Sequence, residues 1–375
     1  MHMEKYDSYE DVEEEMLGTD EVCHTPIDIR SINIIPKTLT ISNIVDRLRE
    51  NEIILDPDYQ RRSNLWGEKE QSRLIESLII MVPLPTFYFD QTDDEKYEVI
   101  DGVQRLTAIR RFIVESSDSP EKLKLKGMEY LSDYDGCTYE ILPKNIQRRI
   151  NEQSITAYVV GRGTDKRIKE SIFTRINTGG LSLSRAEIRN AVYSGRASKL
   201  VKELASSEEF VRVTRGRVRP DRMLDREFVT RFFAFYLLNP ENYIGQFEEF
   251  LSAALDRIRR SSDEEIGEYR RVFILTMDYC LRLFGDYAFR RILDDGRAGM
   301  INKPLFDSVS VSLARLSGNE RTKLLNLKDI FLPRYKDLLQ NEEFRKIISN
   351  ATATRVNIER RYEMVETVIR ETLDD

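Results

Sequence analysis

Three short stretches combine residue types that could hold a phosphorylated ligand. In EVIDGVQRLTAIRRF, residues 98–112, Asp101 and Gly102 stand where a period-two apolar pattern gives way to a helical one, and Gln104 and Arg105 follow. A helix opening at about Val103 aims its first unpaired N–H groups outward, which is how a helix start collects an anion. Arg105 could add a charge-assisted bond to a phosphoryl oxygen, and Asp101 could accept from a ribose or help hold a metal ion. The plainer alternative is that Asp101 caps the helix and Arg105 makes a surface ion pair.

The second stretch, DYQRRSNLW, puts Gln60 and Arg61 in an extended loop near Trp66, the only tryptophan. The pair could reach the same pocket, or an arginine could simply stack on Trp66. The third, FTRINTGGLSLSRAEIRNAV, carries Phe173, Arg175 and Asn177 ahead of Gly179 and Gly180, where the Asn177 amide could face a ligand. Ser184 with Glu187 three residues later reads as a capping box, a structural device. Separately, RVTRGRVRPDRMLDRE, residues 212–227, holds six arginines against three acids. Arg215, Arg217 and Arg219 make it the best local candidate for contact with nucleic-acid phosphates, with a solvated, ion-paired loop as the alternative.

Several chemistries are excluded by what the chain lacks. His2 and His24 are the only histidines, so a zincin, a His-dependent catalytic triad and an HNH-type nuclease have no histidine in the folded body. Cys23, Cys137 and Cys280 are odd in number and far apart, which fits reduced thiols rather than a disulfide framework. No GxxxxGK[ST] loop occurs. A charged content of 33% and a mean hydropathy of -0.47 go with a soluble protein, no apolar run reaches the roughly 20 residues of a spanning helix, and an amino terminus too acidic and polar for a secretory or transit signal places it in the cytoplasm.

The formal net charge is -7, and residues 1–22 hold nine carboxylates against Lys5, a net of -8 that leaves +1 for the rest. The body is therefore neutral, and nucleic-acid binding would need a local patch. Residues 1–30 read as an acidic, disordered leader.

The elements that must position these residues follow from the hydrophobic periods. TLTISNIVDRLRENEIIL sets Ile41, Ile44, Val45 and Leu48 at helical spacing, with Thr40 or Ser42 as the cap. PLPTFYFD and EKYEVI read as a pair of strands around QTDDE, and Leu106, Ile109, Phe112 and Ile113 share one face of the helix after Gly102. A further β segment, SITAYVVG, follows at 154–161, and beyond about residue 187 almost every pattern is helical. The expected architecture is an α+β amino-terminal domain, 31–165, followed by a helical domain, 166–375, that begins with the FTRINTGG segment.

Taken in order, PDYQRRSNLW, VPLP, VIDGVQRLTAI, FTRINTGGLSLSRAEIRNAV and DRMLDREFVTRFFAF resemble the amino-terminal domain family of GmrSD-type, modification-dependent restriction enzymes, over about residues 38–235. The resemblance implies a ParB/sulfiredoxin-like fold with a nucleotide pocket built from a Gln-Arg motif, a DGQQR motif and an F-x-x-x-N motif. Those motifs fall here on Gln60 and Arg61, on Asp101, Gly102, Gln104 and Arg105, and on Phe173 and Asn177. DGQQR reads DGVQR in this chain, so Val103 removes any base contact or water positioning by that side chain. Multidomain relatives carry an HNH half, and the histidine-free carboxyl-terminal part cannot supply one.

The leading expectation is a nucleotide-binding sensor or regulatory protein of a defence system against foreign or modified DNA, hydrolysing a nucleoside triphosphate with Mg²⁺ or having lost that step. Asp101, Gln104 and Arg105 would be its catalytic group, Asp101 its metal ligand, and a separate effector or nuclease its partner, with no membrane involved. A DNA-binding module using 212–226 is the alternative reading, and a ParB-like metal-dependent nuclease the third.

Overall fold

The computed structural model describes residues 11–18, 32–55, 66–91, 96–176, 184–193, 195–293 and 296–375. Its contacts divide the chain into two compact units, Thr25–Val192 and a second made of Met1–His24 with Tyr193–Asp375. The architecture is α+β, with a mixed sheet in the first unit and helices dominating the second. Among the described residues no helix is long and apolar enough to cross a membrane.

The first unit runs β1 (Ile34–Thr40), α1 (Ile41–Arg49), β2 (Ile53–Ile54), α2 (Glu68–Ile79), β3 (Phe87–Gln91), β4 (Tyr97–Asp101), α3 (Val103–Ile109) with a π-helical turn at Arg110–Val114, α4 (Lys144–Glu152), β5 (Ser154–Gly161), α5 (Lys166–Ile176) and α6 (Arg185–Val192). Strand order is β1-β5-β3-β4-β2. The β3–β4 and β1–β5 pairs are antiparallel, while β3–β5 and β2–β4 are parallel.

Local chemistry starts these elements where the periodicity puts them. The Thr40 hydroxyl accepts from the Asn43 N–H at 3.2 Å, and Ile41, Ile44, Val45 and Leu48 are the buried stripe of α1. Ser184 and Glu187 do form the reciprocal box at the start of α6, Ser184 N–H to Glu187 at 2.6 Å and Glu187 N–H to the Ser184 hydroxyl at 3.1 Å. One face of the sheet, with Phe87, Phe89, Val99, Ala157 and Val159, closes on Ile44, Leu78, Leu106 and Ile109 to make the core. The Glu76 carboxylate accepts backbone N–H groups of Glu129, Tyr130 and Leu131 at 2.9, 2.7 and 2.8 Å, so α2 fastens that loop to the core.

The division between units falls between Val192 and Tyr193 rather than near residue 165. The reason is an ion pair from α5 to the sheet: Lys169 Nζ donates to both Asp90 oxygens of β3 at 2.9 and 2.7 Å, with the two side chains 7% and 9% exposed. That bond ties α5 to the sheet of the amino-terminal unit, and α6 packs on α5.

The second unit contains α7 (Arg196–Ala205), α8 (Glu208–Thr214), α9 (Leu224–Leu238), α10 (Phe247–Arg260), α11 (Asp263–Phe284), a hairpin of β6 (Arg290–Ile292) and β7 (Ala298–Ile301), then α12 (Lys303–Ala314), α13 (Gly318–Asn326), α14 (Lys328–Gln340), α15 (Glu342–Ile347) and α16 (Arg355–Leu373). Phe210, Phe228, Phe232, Phe273 and Phe306 stack edge-on or tilted between α8, α9, α11 and α12, the tightest pair being Phe228 and Phe306 at 4.9 Å.

The acidic leader departs from the expectation of disorder where it is described, at residues 11–18. Val12 bridges Ile301, the Glu13 N–H donates to the Ile301 carbonyl at 2.9 Å, and the Thr352 and Ala353 N–H groups donate to the Met16 and Leu17 carbonyls at 3.0 and 2.7 Å. Glu15 lies against the fully buried Arg231, 2.7 Å from its Nη1, while Asp307 takes the other side of the same guanidinium at 2.5 Å. Burial opposes ionisation of Glu15, yet Arg231, Lys303 and the Thr352 hydroxyl hold its carboxyl below the usual range. Burial pushes the Asp307 carboxyl up against the pull of Arg231. Glu15 is thus the carboxylate whose charge the network favours, and composition alone could not show that a leader glutamate neutralises a core arginine.

Candidate functional site at the end of the fourth strand

Strand β4 ends at Asp101, and the chain turns into α3 through Gly102 at φ 109° and ψ 8°. A side chain would not fit there: a β-carbon on Gly102 would stand 2.5 Å from Cδ1 of Phe87. The turn that the sequence suggests is therefore required twice, by the positive φ and by the ring beneath it.

Arg105, one helical turn on, is only 8% exposed and is bonded internally. Its Nη1 donates to the Pro85 carbonyl, both terminal nitrogens reach the Thr86 carbonyl at 3.3 Å, and Nη2 donates to Asp101 Oδ2 at 2.6 Å. The guanidinium also lies 4.4 Å over the Phe87 ring. Burial draws its proton affinity below the usual guanidinium value, and Asp101 opposes that shift. The arginine thus brackets the end of β4 to the segment entering β3. Among the described residues Asp101 Oδ1 accepts no hydrogen bond, and this side chain is 38% exposed, so one carboxylate oxygen is fixed while the side chain stays partly open to solvent.

Neighbouring positions divide between core and loop. Val103 is 6% exposed and belongs to the hydrophobic core, so the residue that departs from the DGQQR pattern supplies packing. Gln104 turns the other way: its Oε1 accepts the Trp66 N–H at 3.1 Å. The Trp66 carbonyl accepts from Gln71 Nε2 at 2.8 Å, Gln71 Oε1 accepts from Arg111 Nη1 at 2.7 Å, and Arg111 Nε donates to the Glu121 carbonyl at 2.7 Å. A relay of hydrogen bonds from α3 and α2 therefore grips the chain at Trp66.

Gln60, Arg61 and Asn177 themselves lie outside the described residues. Phe173 is 1% exposed on α5, four residues beyond Lys169 and so on the same side of that helix as the Asp90 pair. Sequence reasoning missed Asp90 and Lys169. The available signal was the period-two alternation of FYFDQ, which sets Asp90 opposite Phe89, with a helix later in the chain offering Lys169 and Phe173 at four-residue spacing. Among the described residues no group of three or more His, Cys, Asp or Glu side chains gathers as a metal cage. Two open clefts, of about 430 and 680 Å³, are lined by Thr40, Lys144 and Arg148 and by Ser117, Lys124 and Lys126, away from residues 101–105. Neither concentrates the groups just described.

In the other unit, Arg215 closes α8 with φ 57°, and its Nη1 lies 3.3 Å from Asp286. Arg217 and Arg219 both face Asp11 of the amino-terminal segment, at 3.7 and 2.9 Å.

Comparison with known proteins gives one family: residues 41–194 match the family described as GmrSD restriction endonuclease, N-terminal domain. No curated protein and no solved structure matches the chain. The matched span runs from the first residue of α1 to just past the end of α6, so it takes in the Asp101 strand end, the Gln104–Trp66 grip and the Asp90–Lys169 pair. Over residues 41–194 this chain is similar to the GmrSD restriction endonuclease N-terminal domain.

Proposed function

We propose that the 41–194 domain binds a nucleoside triphosphate with Mg²⁺ at the end of β4, and that the protein is the nucleotide-responsive part of a restriction system directed at modified DNA. The observation that carries this reading is the Asp101 carboxylate: Oδ2 is locked by the buried Arg105, Oδ1 accepts no hydrogen bond among the described residues, and the side chain is partly exposed beside a glycine turn. Mg²⁺ is typically held by one or two carboxylates together with substrate phosphates, and a single fixed carboxylate fits that mode. When bound, the ion would offset phosphate charge. Asp101 would ligate it, Arg105 would hold Asp101 in place, and Gln104 would hold the chain at Trp66. Gln60 and Arg61 would contact the nucleotide and Asn177 its ribose or base, as the family resemblance implies.

Because position 103 is spent on packing, hydrolysis would have to proceed without a polar side chain there, and a bound-state switch needs none. Restriction comes from the family description and modified DNA from the resemblance of the motifs, and cutting would fall to a partner.

Calorimetric titration of the full chain with each ribonucleoside triphosphate, with and without Mg²⁺, tests the reading. Expected are Mg²⁺-dependent binding and a loss of at least about tenfold in affinity, about 1.4 kcal/mol, for Asp101→Asn. Absence of binding at millimolar nucleotide, or equal affinity for Asp101→Asn, would overturn it. Phosphate release on the nucleotide that binds then separates a hydrolase from a switch.

A further inference from the structure

The hairpin of the second unit holds an arginine whose charge the fold leaves unanswered. Arg290 lies on β6 opposite Ile301, is 2% exposed, and its Nε and Nη2 have no hydrogen-bond partner among the described residues. A buried guanidinium with open donors costs stability, and a bound anion is one thing that answers such a group. Its surroundings sharpen the point. Arg217 and Arg215 lie within electrostatic reach and repel it, while Asp286 and Asp11 attract it. Those two carboxylates are already engaged, Asp286 by Arg215 at 3.3 Å and Asp11 by Arg219 at 2.9 Å and Arg217 at 3.7 Å. Four arginines thus share two carboxylates, and the most buried of them has donors to spare.

A tetrahedral oxyanion supplies what is missing: more acceptor oxygens than a carboxylate, and charge enough for several guanidinium groups. Arg215, Arg217 and Arg219 have side chains 50%, 44% and 65% exposed, so the group opens from a buried floor to solvent. The chain's own occupant is also informative. Asp11 places one carboxylate of the amino-terminal segment against Arg217 and Arg219, so an anion already sits at the edge of the group.

We propose that Arg290, with Arg215, Arg217 and Arg219, forms a phosphate site for a nucleic-acid backbone, and that Asp11 of the amino-terminal segment competes for it from within the chain. Backbone phosphates reach the arginines when the Asp11 carboxylate is displaced. Arg290 then gains the acceptors it lacks, and binding at this site has no need of the nucleotide at the end of β4. The inference rests on residues of Asp11 and the 193–375 segment alone, so its failure leaves the nucleotide reading standing, and the reverse holds too.

The test is fluorescence anisotropy of the full chain with a labelled DNA duplex across a salt series. The wild type is expected to bind with an affinity that falls as salt rises. Asp11→Asn removes an exposed competitor and should tighten binding by up to about fivefold. Arg290→Met should weaken it by about tenfold or more while leaving the thermal midpoint unchanged or higher, because an unanswered buried charge has been removed. Should Arg290→Met fail to fold, Arg217→Gln on the exposed rim should flatten the slope of log affinity against log salt by about 0.9. Equal binding by wild type and both arginine variants would overturn the proposal, as would no binding by either the wild type or Asp11→Asn at low salt. Arg290-dependent binding of inorganic phosphate or free nucleotide, without duplex binding, would overturn the assignment to a nucleic-acid backbone.

Discussion

Replacing Gly102 by alanine tests the geometry on which the candidate site depends. The backbone there, at φ 109°, lies in the left-handed half of conformational space, which costs an L residue about 1–2 kcal/mol. The new β-carbon would meet Phe87 Cδ1 at 2.5 Å, and the ring has little room to retreat, being fully buried with the Arg105 guanidinium 4.4 Å over it. Overpacking of that kind costs about 1–3 kcal/mol, so the total for Gly102→Ala is about 2–5 kcal/mol. Gly163 is the control: it also has positive φ, 82°, but a β-carbon there would meet nothing within 4 Å, so alanine should cost only the conformational part, about 1–2 kcal/mol. Urea unfolding followed by fluorescence reads this unit selectively, because Trp66 is the chain's only tryptophan and its N–H is bonded to Gln104. Equal losses for the two variants would refute the argument that Phe87 and Arg105 fix the turn.

Three other perturbations probe the scaffold. Lys169→Met removes the two bonds that the buried Asp90 carboxylate accepts from Lys169 and should cost about 3–5 kcal/mol by the same fluorescence assay, whereas the double variant with Asp90→Leu should lose clearly less; equal losses would mean the pair does not anchor α5. The Glu76 carboxyl, despite burial, is held below its ordinary value of 4.5 by three backbone N–H groups, so its contribution is present above that value and is lost as pH falls through the lowered one. Glu76→Gln should cost about 1–3 kcal/mol at neutral pH and flatten the acid limb of stability against pH, and an unchanged limb would contradict this. In the helical unit, Glu15→Ala removes one of the two carboxylates bonded to Arg231, leaving Asp307, and should lower stability by about 1–3 kcal/mol, seen as an earlier loss of helical circular dichroism in urea; no change would mean that the described part of the leader contributes nothing to this core.

Much of the strand-turn-helix frame was legible because its signals are local. The change of period at Asp101–Gly102, the Thr40 cap and the Ser184–Glu187 box each lie within a few residues, and each sets a backbone bond found in the fold. What was not legible depends on partners far along the chain. Arg105 looks like a free phosphate ligand until the carbonyls 19 and 20 residues earlier are brought against it. Lys169 finds Asp90 across 79 residues, which is why the amino-terminal unit extends past α5. Glu15 meets Arg231 across 216 residues, so an acidic run that composition assigns to solvent contributes a charge to a buried network. Position 103 belongs to both categories: its apolar type was plain, but only its place in the core explains what a valine does there.

The most direct test of a nucleotide site at the end of β4 is hydrogen–deuterium exchange of the full chain, with and without each ribonucleoside triphosphate and Mg²⁺. The account predicts slowed exchange in the amides of residues 101–106 and in the peptides bearing Gln60, Arg61 and Asn177, with Asp101→Asn abolishing the effect. Protection confined to residues 193–375, or protection at 101–106 that survives Asp101→Asn unchanged, would contradict it.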